Sequence, residues 1–237
     1  YEEGDASISL GTSGVIFGST KNFLKNYDDA IHSFCHCLPN TWHLMSVMLS
    51  CTSNVNWFIN TFESSIDEIS KCLKESMSSE ASMNNSAYYL PYLTGERTPL
   101  NDPHVRASFH NMGIETDRKT LAYSLIEGIS FGLFDNYQAL SKTGIKLNNL
   151  FVIGGGSKNK DWIKLLASTL DRDLAITEVS DAMAAYGAAR LAYLGFNNLK
   201  HQDVLKPPLV KEIIKKDNNM KSIIEDRFDC WKKYYVK

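Results

Sequence analysis

Two glycine-rich stretches carry the residue types best suited to holding a phosphate. Gly11-Thr12-Ser13-Gly14 joins two short apolar runs and reads as a tight turn. Such a turn can point several backbone N–H groups to one side, and concavities of that kind bind phosphate oxygens. Glycine lets backbone approach closely, and Thr12 and Ser13 add hydroxyl donors. Taken alone, the stretch is equally an ordinary hairpin turn. Gly154-Gly155-Gly156-Ser157-Lys158-Asn159 says more, because it follows an apolar strand and opens a helix. In an open α/β sheet that junction is the usual ligand crevice, and the N–H groups of a helix start favour anions. A tight strand-to-helix connection would explain the same glycines without a ligand. The spacing is not Gly-x-Gly-x-x-Gly, and no Gly-x-x-x-x-Gly-Lys-Ser/Thr occurs. Neither a Rossmann fingerprint nor a P-loop is therefore supported.

Other constellations carry less. His32, Cys35, His36, Cys37 and His43 resemble metal ligands, but closed zinc sites take four ligands, usually from two short paired spacings. On a strand, Cys35 and Cys37 would share one face while His36 points the other way, so no metal site is expected. Ser157-x-x-Lys160 and Lys142-Thr143-Gly144 match elements of penicillin-recognising enzymes, but in reversed order and without Ser-Asp-Asn, and are read as chance. Glu96 and Arg97 read as an ion-paired or hydrogen-bonded turn that shapes the domain interface, with a direct substrate role as the alternative. Glu127 and Asp181 read as helix carboxylates within reach of the crevice.

The elements that would position these residues follow from periodicity. Alternation predicts strands at residues 6–10 and 15–17, forming a hairpin, and a third at 42–48. Helical spacing runs over residues 53–74, with Val55, Phe58, Ile59, Phe62, Ile66 and Ile69 on one stripe. Residues 75–86 read as a loop and 88–93 as a short strand. A long helix is expected over 117–141, with Leu121, Leu125, Ile129 and Leu133 as its apolar stripe. Then come a strand at 150–153, the glycine run, a helix at 160–170, a strand at 174–177 and a helix of small residues at 181–194. The Lys206-Pro207-Pro208 break sets off a terminal helix. This order is α/β in class and is that of the ribonuclease-H-like unit of actin-like ATPases, with 51–117 as an inserted helical segment.

Composition excludes several function classes. Net charge is −2 with both signs scattered, so no basic footprint for nucleic acid stands out. The Lys-rich residues 211–237 also carry acids and read as a solvated helix face. No apolar run approaches the roughly 18 residues that a spanning helix needs, and no signal peptide is visible. Five cysteines without framework spacing argue for a reducing compartment, and a cytoplasmic location is expected. The chain opens at Tyr1 without Met, which reads as a fragment.

At this point a resemblance becomes specific. Residues 4–15 (Gly-Asp-Ala-Ser-Ile-Ser-Leu-Gly-Thr-Ser-Gly-Val), 32–39 and 42–45 look like the opening of the C-terminal domain of FGGY carbohydrate kinases, most closely the xylulokinase branch. Leu90-Pro91-Tyr92-Leu93-Thr94-Gly95-Glu96-Arg97-Thr98-Pro99 is the most diagnostic stretch. Residues 126–131, the Gly154 run with Trp162, and 185–192 complete the set in the family's order, so the likeness covers residues 4–196. It implies two actin-like domains about a cleft, with sugar held mainly by an N-terminal domain that this chain does not contain. ATP with Mg²⁺ would bind mainly to the C-terminal domain, residues 1–200, on which 201–237 would pack as a helical extension. The matching nucleotide contacts are Gly11 and Thr12 at the phosphates, with Ser13 beside them. Gly155, Gly156 and Asn159 would lie near the adenosine, with Ser157 and Lys160 adjacent. Thr52 and Asn56 match nucleotide-contacting positions of related glycerol kinases, although an ordinary helix start explains them as well. The family's base is an Asp in a Gly-Asp-Asn-Ala type segment upstream of the first strand. This chain starts after it, and Asp5 matches a structural turn position instead. The expectation is the ATP-binding half of a D-xylulose kinase, inactive alone, with no catalytic residue and no metal ligand of its own and a homodimer possible. The alternatives are a kinase for gluconate, ribulose, glycerol or another polyol, and a non-catalytic nucleotide-binding module.

Overall fold

The computed structural model describes residues 2–25, 28–179 and 182–235. β1 (Asp5–Leu10) and β2 (Gly14–Thr20) form the expected hairpin, followed by β3 (His32–Cys35) and β4 (Trp42–Met48). The next helices are α1 (Thr52–Phe62), α2 (Ile66–Met77) and α3 (Glu80–Asn84), leading to the small ribbon of β5 (Tyr88–Leu90) and β6 (Ser108–His110). α4 (Arg118–Ser141), β7 (Asn149–Ile153), a 3-10 turn at Gly155–Lys158, α5 (Lys160–Thr169) and β8 (Leu174–Thr177) continue the chain. It ends in α6 (Met183–Phe196), α7 (His201–Val204), β9 (Val210–Ile214) and α8 (Lys221–Tyr234).

Among the described residues the main sheet has seven strands in the order β3-β4-β2-β1-β7-β8-β9. β1 pairs antiparallel with β2 and parallel with β7, so it is the strand at which the sheet changes character. The alternation of β1 is realised in space: Ala6, Ile8 and Leu10 are buried, while Asp5, Ser7 and Ser9 are half-buried on the other face. α4 and α5 cover the first face, and their apolar side chains join those of β1, β2, β4 and β7 in the core.

Several expectations change in detail. The helix foreseen over 53–74 is two helices, because Glu63 takes a left-handed conformation with φ 50° and Ser65 starts a fresh helix by accepting from Glu68 N–H. Residues 75–86, foreseen as a loop, hold the end of α2 and all of α3. β3 and β6 were not foreseen, and the strand at 88–93 stops at Leu90. The stretch after Pro208, foreseen as helical, begins with β9, which adds an antiparallel edge to β8. α4 is wider in its burial than one stripe: every residue from Ala122 to Leu133 is buried. Glu127 is no surface carboxylate. It is 1% exposed and ion-paired with Arg227 of α8 at 2.5 Å. Asp181, the other carboxylate noted, lies outside the described residues.

Candidate functional site: a cleft between two glycine elements

The parallel pairing of β1 with β7 puts Ser9 opposite Ile153. The two glycine stretches, distant in sequence, therefore leave the sheet side by side at the carboxyl ends of neighbouring strands, where open α/β sheets bind ligands. Gly154 has φ +88°, and a Cβ there would lie 2.8 Å from the Leu10 carbonyl oxygen and 3.3 Å from the Gly11 nitrogen. Only glycine allows this backbone contact.

The turn at Gly11 is anchored from behind. The Cys51 N–H donates to the Thr12 carbonyl at 2.8 Å and the Thr52 N–H to the Gly11 carbonyl at 2.9 Å. Ser53 donates to the Thr12 carbonyl through both its N–H and its hydroxyl. These bonds use donors at the start of α1, where no side-chain cap is present. They fix the carbonyls of the turn toward α1.

Beside the turn lies a cleft of about 460 Å³, walled by Thr52, Val55 and Asn56 of α1, Ile69 and Ser70 of α2, and Gly155, Gly156 and Asn159. Asn159 ties the walls together. Its Nδ2 donates to the Ser70 hydroxyl at 2.9 Å, while its Oδ1 accepts from the Trp162 N–H at 3.0 Å and so caps α5. Trp162 is buried beneath, its indole N–H donating to Ser130 Oγ at 3.2 Å. Two glycines are uncrowded. Gly155 would find no atom within 4 Å of an added Cβ, and Gly11 none closer than 3.5 Å, and neither has a positive φ. Neither packing nor backbone conformation within the chain calls for glycine at these two positions.

Of the residues singled out in sequence, Thr52, Asn56, Gly155, Gly156 and Asn159 line this cleft. Gly11, Thr12 and Ser13 stand at the neighbouring turn, where Thr12 is exposed. Ser157 and Lys160 point elsewhere: Ser157 is buried and donates to the Gly154 carbonyl at 2.7 Å, and Lys160 pairs with Glu212 of β9 at 2.6 Å. Ile66, Asp67, Ile69 and Ser70 were missed because the second helix was read as a continuation of the first. The signal available was Ser65-x-x-Glu68, the pattern of a new helix start.

The only charged side chains on this lining are Asp67 and Lys158. Among the described residues no group of three or more His, Cys, Asp or Glu could hold a metal ion. The His36 Nδ1 accepts from the Leu38 N–H at 3.1 Å, and burial, then the neighbouring His43, hold the ring below the usual histidine range. Asp5 accepts from the Glu2 N–H at 2.9 Å, a turn contact at the entrance to β1.

This sheet order, with two glycine elements at the switch in its middle, is the arrangement of actin-like ATPases and sugar kinases. The sequence model of the "FGGY family of carbohydrate kinases, C-terminal domain" matches residues 6–196, and the chain belongs to that family. It is 36% identical over 207 residues to the xylulose kinase of Escherichia coli K12, covering 87% of this chain and 42% of that one. A crystal structure described as a xyloylose kinase from Brucella ovis superposes with a TM-score of 0.89 at 34% identity, covering 99% of this chain and 48% of that one. Plasmodium falciparum glycerol kinase with ADP shares the fold, with a TM-score of 0.81 at 18% identity, over 100% of this chain and 48% of that one. The chain thus spans about half the length of the relatives it matches.

Proposed function

We propose that this chain is the ATP-binding half of a sugar kinase that transfers the ATP γ-phosphate to a hydroxyl of D-xylulose, giving D-xylulose 5-phosphate. The observation that carries the nucleotide part is the pair of open glycines. At Gly155 an added Cβ would meet nothing within 4 Å, and at Gly11 only ordinary contacts with Ser13 and Ser9, so at both a ligand can press against backbone. The adenosine lies between α1, α2 and the 3-10 turn, against Thr52, Asn56, Gly155, Gly156 and Asn159. The phosphates reach the turn at Gly11, Thr12 and Ser13, whose N–H and hydroxyl groups face developing negative charge. ATP supplies the phosphoryl group. These residues orient it, and orientation with charge stabilisation is most of what a protein contributes to phosphoryl transfer. In this reading Mg²⁺ accompanies the nucleotide phosphates. The base that takes the sugar proton, and the sugar site itself, belong to an amino-terminal half of the kind that completes the relatives. The choice of xylulose rests on relatives named xylulose kinase at 30–36% identity.

α6 is where that other half would seat. It is apolar, none of its residues is buried, and Tyr186, Leu191, Tyr193 and Phe196 are exposed. The chain enters close by, since Glu2 and Asp5 share a cavity with Met183, Gly187 and Arg190. Nothing in the charge pattern suggests nucleic acid as a partner, and no described helix is long and apolar enough to cross a membrane. The free thiols of Cys35 and Cys37, both exposed, fit a cytoplasmic setting.

Thermal-shift titration with ADP tests the site. The wild-type chain is expected to shift. Gly155→Val should keep its own melting temperature and lose affinity by about tenfold or more, since overpacking costs about 1–3 kcal/mol. No shift for the wild type, or equal shifts for both, overturns the proposal.

A further inference from the structure

Glu96 is a carboxyl that the proposed nucleotide site does not use, yet it lies directly behind that site. It is 3% exposed. Its Oε1 accepts two backbone N–H groups, from Leu49 at 2.8 Å and from Arg97 at 2.7 Å. Its own backbone exchanges both hydrogen bonds with Asp102 at 2.9 Å. On either side the same loop is fastened to the same stretch. The Thr98 N–H donates to the Val47 carbonyl and Thr98 Oγ1 accepts from the Val47 N–H, each at 3.0 Å. The hydroxyls of Thr94 and Ser50 share a hydrogen bond of 3.0 Å. The loop at 94–98 therefore clamps residues 47–50, and the next three residues are the ones whose N–H groups hold Gly11 and Thr12.

We propose that Glu96 is the positioning residue of the glycine turn: its carboxyl fixes Leu49, Leu49 fixes the start of α1, and that start fixes Gly11 and Thr12. No part of Glu96 touches the ligand in this arrangement. For nucleotide affinity the assignment rests on the turn being the phosphate seat. For the order of the turn it stands on the hydrogen bonds alone.

The chemistry of the clamp gives it a signature. The groups facing Glu96 are the Cys51 thiol, the Asp135 carboxylate of α4 and the Tyr92 phenol, with Arg97 adjacent in the chain. Asp135 is itself held by Lys232 of α8 at 2.6 Å. Tyr235 in turn feels both Asp135 and Asp102. Burial pushes the Glu96 carboxyl up to about 7, against the pull of its two N–H donors and with some help from Asp135. When the segment opens, the carboxyl returns to water and to an ordinary range near 4.3. The closed clamp therefore binds the proton more tightly than the open one. Its hold is full in acid, declines as pH rises toward 7, and is level above that.

Amide hydrogen exchange on the chain, corrected for intrinsic rates and followed from pH 5 to 8, tests this without any ligand. Protection of Cys51, Thr52 and Ser53 should fall by well over tenfold across that range in the wild type. Glu96→Gln keeps the acceptor oxygen and cannot titrate, so its protection should be flat and equal to the wild type in acid. Glu96→Ala, which cannot titrate either, should show flat protection at these three amides, about tenfold below the acid value of the wild type, with Ile8 and Leu44 unchanged, and should weaken ADP binding. A pH profile shared by wild type and Glu96→Gln, or a loss in Glu96→Ala spread evenly over the sheet, overturns the assignment. If the exchange pattern holds and the wild type does not bind ADP, the nucleotide proposal fails and the positioning role of Glu96 stands.

Discussion

α4 and α6 are both rich in small and apolar residues, and the molecule treats them in opposite ways. α4 is packed between the sheet, α2, the β5–β6 ribbon and α8, with sixteen of its residues buried. α6 has none buried, and its half-buried positions Met183, Gly187, Arg190 and Leu194 form a single stripe toward the sheet. The remaining face is uncharged, carrying Ala184, Ala185, Ala188, Ala189, Ala192, Tyr193 and Phe196. Their starts differ as well. α4 opens on a capping box, with Asp117 accepting from the Thr120 N–H at 2.8 Å, whereas α6 has no side-chain cap. An exposed apolar helix is what the proposed seat of an amino-terminal half requires. The comparison teaches that composition marks a helix as buried without saying by what.

The contrast can be broken most sharply at Glu127. Glu127→Ala leaves Arg227 buried without its carboxylate, held by the carbonyls of Ser86 and Ala87 and stacked 4.5 Å from the Tyr88 ring centroid. Burial opposes the charge on Arg227, and the Glu127 carboxylate more than restores it. Removing one partner of such a pair costs about 3–5 kcal/mol, to be read from urea denaturation. A loss below that scale would mean that α4 is less tightly enclosed than its burial indicates. Next comes the cap. Asp117→Ala should cost about 1 kcal/mol. The Thr120 N–H holds the Asp117 carboxyl below the usual aspartate range. A lowered folded-state value gives stability that is present above the unfolded value near 3.9 and is lost as pH falls through the folded one. The wild-type advantage over Asp117→Ala should therefore vanish in acid. The smallest effect is expected on α6: Ala189→Glu should stay within about 0.5 kcal/mol of wild type in the chain alone. Mixed with a separately produced amino-terminal half, the same variant should fail to associate in analytical ultracentrifugation while the wild type does. A large stability loss in the chain alone would show that α6 is packed in solution.

The strands were legible because alternation is a strong local signal: residues 42–48 and 174–177 are strands with the expected bounds. β9 was hidden because Val-Lys-Glu-Ile-Ile alternates imperfectly and carries charges, of which Glu212 is answered only in three dimensions, by Lys160. Neighbouring Lys215 likewise meets Asp173 at 2.7 Å. The break at Glu63 was hidden because periodicity carries across a single left-handed residue. That slip concealed the α2 wall of the cleft. The glycines were visible, but their different jobs were not. Gly154 is required by the neighbouring backbone, while Gly155 next to it meets nothing. Glu127 was misjudged because its partner lies 100 residues away on α8.

That last distance bears on how the chain acquires its shape. α8 closes over Tyr88, Tyr89 and Glu127 through Arg227 and through Trp231, whose indole N–H reaches the Tyr89 carbonyl at 2.7 Å across 142 residues. During synthesis α4 is made a hundred residues before its cover. Until α8 emerges from the ribosome, the Glu127 carboxylate has no counter-ion and the aromatic surface of β5 faces water. A nascent chain stopped before residue 221 would hold every residue of the glycine cleft and lack the lid of the core behind it. α8 thus sets when the core behind the cleft can finish folding, and truncations that remove it should appear as insoluble protein rather than as soluble protein with a weakened site.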